Sequence, residues 1–121
     1  FLRRVEELNR TFLEEYSGAT EEFSKGRYKN ATILFSKALF AICDLIIYQK
    51  LNKLPKNHTE RFRILESFFP AEYKIVDIIF SHYTDAYSKP GLQVACEEIR
   101  DGIRRIIANH EVPERIRKIA E

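Results

Sequence analysis

The stretch Ala38-Leu39-Phe40-Ala41-Ile42-Cys43 decides the fold of this 121-residue chain. All of its side chains are apolar, so a helix built from them has no polar face. A helix of that kind must be covered by neighbours on every side. The stretch therefore predicts a central helix over about residues 27–51, with the rest of the chain packed around it.

Apolar residues recur at steps of three and four on both sides of the central helix, which is the spacing of amphipathic helices. The pattern predicts further helices over about 2–24, 57–69, 70–87 and 92–110, and a short one over 114–121. Glycine and proline mark the breaks between them, at Lys25-Gly26, Pro55, Pro70, Pro90-Gly91 and Pro113. No segment shows the alternation of a strand. We predict an all-α fold, a single domain over 1–121 that forms an antiparallel up-and-down bundle of about five helices.

Composition and charge exclude several classes of protein. Twenty basic against 18 acidic side chains leave a net charge of +2, too balanced to coat nucleic acid by bulk charge. The longest apolar run, around 39–47, is broken by Asp44 and is shorter than the ~18 residues that a membrane span needs. Cys43 and Cys96 form no CxxC pair, which favours buried free thiols over a disulfide between helices. We expect a cytoplasmic protein with no membrane or DNA partner and no cofactor.

The first candidate site is the basic segment from Tyr48 to Arg63. Its side chains are Lys50, Lys53, Lys56, Arg61 and Arg63, with His58 among them and Glu60 as the only acid. A helix is predicted to begin at Asn57, and the free N–H groups of a helix start favour anions. Asn57 and Glu60 also have the spacing of a capping box. The segment is either a phosphate-binding surface or a solvated helix connection.

The second candidate site is 81–87, at the end of the fourth predicted helix. His82 and Asp85 are three residues apart and can hydrogen-bond on one side of that helix. Tyr83 and Tyr87 are four apart, a pair suited to stacking on a base or to filling the core, and core filling is the expected use of Tyr83. Ser81 and His82 point about 100° apart, which argues against a catalytic triad. Metal ligation would need further ligands from elsewhere, so we predict no metal site.

The third candidate is the pair Arg105 and His110 on the fifth predicted helix. Their spacing is that of an Arg-x4-His ribonuclease signature. On a continuous helix, however, the two residues lie about 140° apart and would not converge on one phosphate. His110 also continues a stripe of isoleucines, so a half-buried histidine at the helix end is the expected structure.

Taken in order, these motifs resemble those of HEPN domains, a small helical family often found beside minimal nucleotidyltransferases. The resemblance covers about residues 24–108. It rests on Gly26-Arg27-Tyr28 through Ala31, on Leu54-Pro55-Lys56-Asn57-His58, and on His82-Tyr83-Thr84-Asp85-Ala86-Tyr87. The last of these resembles an Arg-Tyr-Pro-Asp-Ala-Tyr motif, so His82 and Thr84 replace the arginine and the proline.

The resemblance implies a homodimeric bundle of about five helices with a cleft near the dimer axis. It also implies binding of a nucleotide or RNA, and membership of a two-gene toxin–antitoxin system with a nucleotidyltransferase partner. In ribonuclease members of the family, an arginine and a histidine four to six residues apart cleave RNA without metal. At the fourth-helix position no arginine precedes a histidine, and the pair Arg105 and His110 lies on the fifth helix, which is the wrong place. The ribonuclease interpretation is therefore weakened, because no fixed cation remains at the motif to stabilise the reacting phosphate.

The leading hypothesis is a non-catalytic HEPN-type module that binds a phosphate-bearing ligand or a nucleotidyltransferase. The ligand-binding residues are then Lys56, His58, His82, Asp85 and Tyr87: Lys56 neutralises phosphate, the histidines donate hydrogen bonds, Asp85 orients His82, and Tyr87 stacks or hydrogen-bonds. The alternatives are a metal-independent ribonuclease toxin that uses His82 or His110, and a helical dimerisation or adaptor protein with no ligand. The leading hypothesis requires the basic segment to lie beside residues 82–87.

Overall fold

A computed structural model describes residues 2–121, and these residues form six helices and no strand. The helices are α1 (Leu2–Ser24), α2 (Tyr28–Leu51), α3 (His58–Phe68), α4 (Pro70–Asp85), α5 (Gln93–Ala108) and α6 (Glu114–Ile119). The all-α prediction is confirmed, and each helix lies within a few residues of its predicted bounds. α1 continues unbroken through Gly18, and Gly26 follows it with a φ of 73°, the left-handed conformation that favours glycine after a helix.

The central position predicted for α2 is confirmed. This helix contacts α1, α3, α4 and α5. Leu39, Ile42 and Cys43 are fully buried, as are residues on its other sides, such as Ala38 and Ile47. The apolar stretch therefore forms the middle of the core.

α2 is also the one helix in residues 2–121 that is long and apolar enough to cross a membrane by length and composition. An 18-residue window of it has a mean hydropathy of 1.8, so the expectation that Asp44 would rule out such a segment was too strict. Within the fold, 72% of that window is buried. The core helix of a globular protein passes the same test, so the observation is weak evidence for a membrane.

Contacts between rings and charged groups give the directions of the helices. α1 and α2 are antiparallel, as are α4 and α5. α3 runs alongside α2 in the same direction, as shown by the contacts Phe40–His58, Asp44–Arg61 and Lys50–Phe69. The loop 52–57 carries the chain back along α2 before α3 begins. The helix order therefore departs from strict up-and-down alternation at α3.

Two glycines allow close approaches that position the end of α4 and the start of α5. A Cβ at Gly91 would overlap backbone atoms of Tyr28 and Lys29, so the loop after α4 lies directly on the start of α2. A Cβ at Gly102 would lie 2.7 Å from Ile79 Cδ1 and 2.8 Å from Ile75 Cγ2, which shows how closely α4 and α5 pack.

Hydrogen bonds from arginine side chains join α5 and α6. An arginine of each helix donates to carbonyls at the end of the other helix. Arg104 Nε of α5 donates to the Ala120 carbonyl at 2.7 Å. In return, Arg117 of α6 donates to the carbonyls of Ile107 and His110. Since the last carbonyls of a helix have no partner within the helix, each arginine satisfies groups that would otherwise need water.

Candidate functional site

His82 is held by a carboxylate from the neighbouring helix. His82 Nε2 lies 2.7 Å from Glu98 Oε2 of α5, whereas Asp85 pairs with Lys89 at 3.6 Å. The expected orientation of His82 by Asp85 is therefore wrong. The two residues share a side of α4, but antiparallel packing brings the longer Glu98 side chain to the imidazole first.

His82 and Asp85 do line one hollow, which lies between the end of α4 and the start of α5. It has a volume of about 100 Å³ and is lined by Thr32, His82, Asp85, Ala86, Lys89, Pro90, Gly91, Leu92 and Ala95. A water molecule takes about 30 Å³ of the liquid, so the hollow has room for a few waters or one small polar group. An imidazole, an ammonium and a carboxylate at its wall give it donors as well as an acceptor.

The floor of the hollow is set by contacts between α2 and α5. Thr32 Oγ1 lies 3.3 Å from Cys96 Sγ, and the same thiol reaches the Tyr28 carbonyl at 3.5 Å. Burial raises the pKa of the Cys96 thiol, which therefore stays protonated near neutral pH. Burial likewise raises the pKa of Cys43. Both cysteines are free and buried, as the sequence predicted.

The other side of the α4 end carries an aromatic group. The His58 ring lies 4.8 Å from that of Phe40 and 5.7 Å from that of Tyr83, centroid to centroid. Tyr83 in turn meets Tyr87 edge to face at 5.4 Å. A hydrogen bond with Tyr87, together with burial, raises the pKa of Tyr83 to about 12. Tyr83 packs against the core, as expected, whereas Tyr87 is 55% exposed and offers a ring to solvent.

Arg61 forms an ion pair that the sequence analysis missed. Its guanidinium donates to both carboxylate oxygens of Asp44, at 2.7 and 3.0 Å, and lies over the Phe40 ring. Arg61 Nη1 also lies 2.7 Å from His58 Nδ1. Because a guanidinium only donates, Nδ1 must accept, and the imidazole proton is on Nε2. Burial, reinforced by the Arg61 charge, lowers the pKa of His58 and favours this neutral form.

The start of α3 is less electropositive than its composition indicated. Asn57 Oδ1 accepts from the Glu60 N–H at 2.9 Å, so the predicted cap is confirmed, and the Glu60 carboxylate accepts from the Lys56 N–H. Glu60 thus supplies a negative charge where an anion was expected. Arg61 is neutralised by Asp44, and the Lys50 ammonium lies over the Phe69 ring.

The exposed cations of this segment are Lys50, Lys53, Lys56 and Arg63, and the Lys50 ammonium lies over the Phe69 ring. The excess of positive charge in this segment is therefore smaller than its sequence indicates. Lys56 contributes a charge on a flexible, exposed side chain rather than a charge held in one position.

Arg105 and His110 serve different parts of the structure. The His110 ring packs on Phe69 at 5.7 Å between centroids, and its Nε2 lies 3.4 Å from a carboxylate oxygen of the buried Glu72. That approach is not aligned as a hydrogen bond. Arg105 instead lines a groove on the outer face of α4 and α5. The half-buried histidine expected at the helix end is confirmed.

The predicted ligand-binding residues thus fall into two groups on either side of the α4 end. The His58 ring contacts Tyr83, and Tyr83 contacts Tyr87, so the start of α3 lies beside the two tyrosines. His82 and Asp85 line the hollow with Lys89, without Lys56, His58 or Tyr87.

Sequence reasoning missed Glu98 and Lys89 at the hollow and the partner of Asp44. Asp44 had a detectable signal, since a lone charge in an apolar helix needs a buried partner. Glu98 had none, because it lies on a different helix from His82.

Within residues 2–121, no group of three or more His, Cys, Asp and Glu side chains is placed to hold a metal ion. The chain matches no protein-family model, no curated protein and no solved structure. The geometry of the α4 end is therefore what a functional proposal must rest on.

Proposed function

We propose that this chain is a HEPN-type helical module that binds a phosphate-bearing nucleotide or RNA at the end of α4 and is not itself a catalyst. The observation that carries the proposal is the hollow in which His82, Asp85 and Lys89 meet. The resemblance of His82–Tyr87 to a HEPN motif falls on the same turn of the chain and supports it.

The residues around the hollow have complementary roles in this proposal. Lys89 neutralises the phosphate, and Asp85 keeps the ammonium over the hollow through their ion pair. Glu98 accepts from His82 Nε2 and fixes the ring's orientation, and the protonated ring donates to the phosphate from Nδ1. The exposed ring of Tyr87 stacks on a base, since such stacking suits any nucleobase. Lys56 and His58 extend the surface, with the His58 Nε2–H as a donor.

The same resemblance supplies the proposed biological setting. The module acts in the cytoplasm as a homodimer of HEPN-type bundles and belongs to a two-gene, toxin–antitoxin-like system. Its protein partner is a minimal nucleotidyltransferase. The contacts of Arg61 support binding rather than cleavage, because that guanidinium is already bonded to Asp44 and cannot stabilise a reacting phosphate.

Calorimetric titration with ATP, AMP and a short RNA tests the ligand proposal. We expect at least one of these ligands to bind wild type, and the double variant H82A/K89A to bind it at least tenfold more weakly, which corresponds to about 1.4 kcal/mol. The single variant K56A tests the predicted role of Lys56 in neutralising phosphate, and K118A, an exposed lysine of α6, is the matched control. No binding by wild type would refute the proposal and favour an adaptor protein without a ligand.

A second candidate function is metal-independent ribonuclease activity, which the 2.7 Å contact between His82 and Glu98 favours. A carboxylate bonded to Nε2 fixes the orientation of the ring and leaves Nδ1 as the nitrogen that can accept a proton. Incubation of cellular RNA with the protein in EDTA tests this function. Cleavage that is lost in both H82A and E98Q would support it, and intact RNA would exclude it.

A further inference from the structure

The hollow at the end of α4 has a narrow choice of ligand because of its size and its walls. Its volume of about 100 Å³ corresponds to about three waters at their share of about 30 Å³ in the liquid. The three non-bridging oxygens of one terminal phosphoryl group would take the places of those waters. The lining comes from α2, the end of α4, the loop after it and the start of α5, so the chain surrounds a bound group on several sides. One substituent on phosphorus can leave toward solvent, whereas two would need a second opening.

The charged side chains of the hollow leave several donors free for such a group. Asp85 faces Lys89 at 3.6 Å, an ion pair too long for a hydrogen bond, so the N–H donors of the ammonium stay available. Glu98 holds His82 Nε2 at 2.7 Å, and the protonated ring then directs its Nδ1–H elsewhere. The lining therefore combines two cations with one carboxylate.

A buried hydroxyl adds a donor from α2. Thr32 lines the hollow and is only 2% exposed, and the one partner of its hydroxyl in the described part of the chain is the Cys96 thiol, at 3.3 Å. A thiol is a weak hydrogen-bonding group, so the hydroxyl gains a stronger partner when an anion enters.

The first turn of α5 completes the wall. The lining passes from Gly91 and Leu92 to Ala95, and Leu92 at the N-cap has no side-chain acceptor for the helix. No hydrogen bond joins the N–H groups of Gln93, Val94 or Ala95 to another of the described residues, and this turn holds no acid. The N–H groups of a first turn point out of the helix start and favour an anion there.

We infer that the hollow recognises a terminal phosphoryl group, that of a mononucleotide or of a phosphorylated RNA end, in preference to the internal phosphodiesters of RNA. A phosphomonoester has one substituent and a charge of about −1.5 to −2 at pH 7, whereas a diester has two substituents and a single charge. Its oxygens accept from Lys89, from His82 and from the first turn of α5. This inference rests on the proposed function, because it concerns the same hollow, and it names the chemical class of the ligand.

Calorimetric titration with two matched pairs of ligands tests the inference. The first pair is AMP and cyclic AMP, and the second is one short RNA with a 5′-phosphate or a 5′-hydroxyl. We expect the monoester of at least one pair to bind about tenfold tighter than its counterpart, which corresponds to about 1.4 kcal/mol, and H82A/K89A to lose that preference. A preference in the first pair identifies mononucleotides as the source of the group, and one in the second pair identifies RNA ends.

The two proposals fail in different ways. Equal affinities within both pairs, with binding that H82A/K89A abolishes, would overturn the terminal phosphoryl group and leave the proposed function in place. A preference that persists in H82A/K89A would also overturn the inference, because the phosphoryl group then binds elsewhere. No binding of any of the four ligands would refute both proposals.

The variant L92D tests the contribution of the first turn of α5. Aspartate is a preferred N-cap residue, so its carboxylate accepts from the N–H groups and occupies the place of the anion. We expect L92D to unfold at a higher temperature than wild type and yet to bind the preferred monoester about tenfold more weakly. L92A, which adds no acceptor, is the matched control and should retain the affinity. An L92D protein that binds the monoester as tightly as wild type would contradict the assignment.

Discussion

Arg61 connects α2, α3 and the aromatic side of the candidate site through its guanidinium. The side chain is 11% exposed, and that of its partner Asp44 is 18% exposed. Desolvation of two charges is costly and is repaid here by two hydrogen bonds and by the contact with Phe40. A cation that the sequence assigned to an anion-binding surface is therefore a structural group.

We expect R61A to lower the free energy of unfolding by about 3 kcal/mol, because it leaves the Asp44 carboxylate largely buried without a counter-charge. Urea unfolding followed by circular dichroism measures the change. R63A on the same helix is the control: its side chain is exposed, and a change within about 0.5 kcal/mol is expected.

The double variant D44A/R61A refines this prediction. Removal of both charges should cost less than the sum of the two single changes, because neither partner is then left buried alone. Additive effects would mean that the two groups do not interact.

The pH dependence of stability reports on His58. Burial and Arg61 lower the pKa of the folded imidazole below the ordinary value of about 6.5, so the unfolded chain binds more protons between those two pKa values. By linkage, the contribution of His58 to the free energy of unfolding then falls as the pH drops from about 6.5 to the lowered pKa. Below that pKa the contribution no longer changes with pH. We expect H58Q to flatten that slope relative to wild type, whereas T59A, at the exposed neighbouring position, retains it. Equal slopes for wild type and H58Q would contradict the assignment.

At the scale of elements, the hollow depends on how the α4–α5 loop lies on α2. Gly91 permits that contact because its missing Cβ would occupy space held by backbone atoms, which cannot rotate away. The Ala86 to Lys89 N–H groups meanwhile donate to the carbonyls of His82, Thr84 and Asp85 in the last turn of α4. The position of His82, Asp85 and Lys89 is thus a property of two helices and a loop together.

A series of glycine-to-alanine changes tests this packing. We expect G91A to lose at least about 2 kcal/mol of unfolding free energy from overpacking against backbone. G102A should lose about 1 kcal/mol, because the new methyl group displaces Ile75 and Ile79 and this cost outweighs the gain in helix propensity. G18A should gain about 0.5 kcal/mol, because the new methyl meets only Leu34 Cδ1 at 3.4 Å. Thermal or urea unfolding measures all three, and a G91A protein as stable as wild type would contradict the packing at the loop.

At the scale of the whole molecule, α2 is surrounded by four helices, whereas α6 is a six-residue helix anchored by Ile116 and by the arginine contacts with α5. Stability is therefore expected to be uneven along the chain. In amide hydrogen exchange, residues 39–47 should exchange most slowly, because their amides open only when the whole chain unfolds. Residues 114–119 should exchange at least tenfold faster, because α6 can open locally. The variant I116A should speed exchange in α6 further and leave the middle of α2 nearly unchanged at native conditions. Equal protection of α2 and α6 would show that α6 belongs to the same cooperative unit.

The local pattern of the sequence was enough to predict the helices, their breaks, the central position of α2 and the Asn57 cap. Each depends on residues within a turn or two of one another: the apolar period, the φ of glycine and proline, and the three-residue spacing of a cap. The parallel course of α3, the pairing of Asp44 with Arg61 and the choice of Glu98 over Asp85 as the partner of His82 were decided by tertiary packing alone. These contacts join residues 16 or more apart, and one sequence carries no record of which distant side chains meet when helices dock.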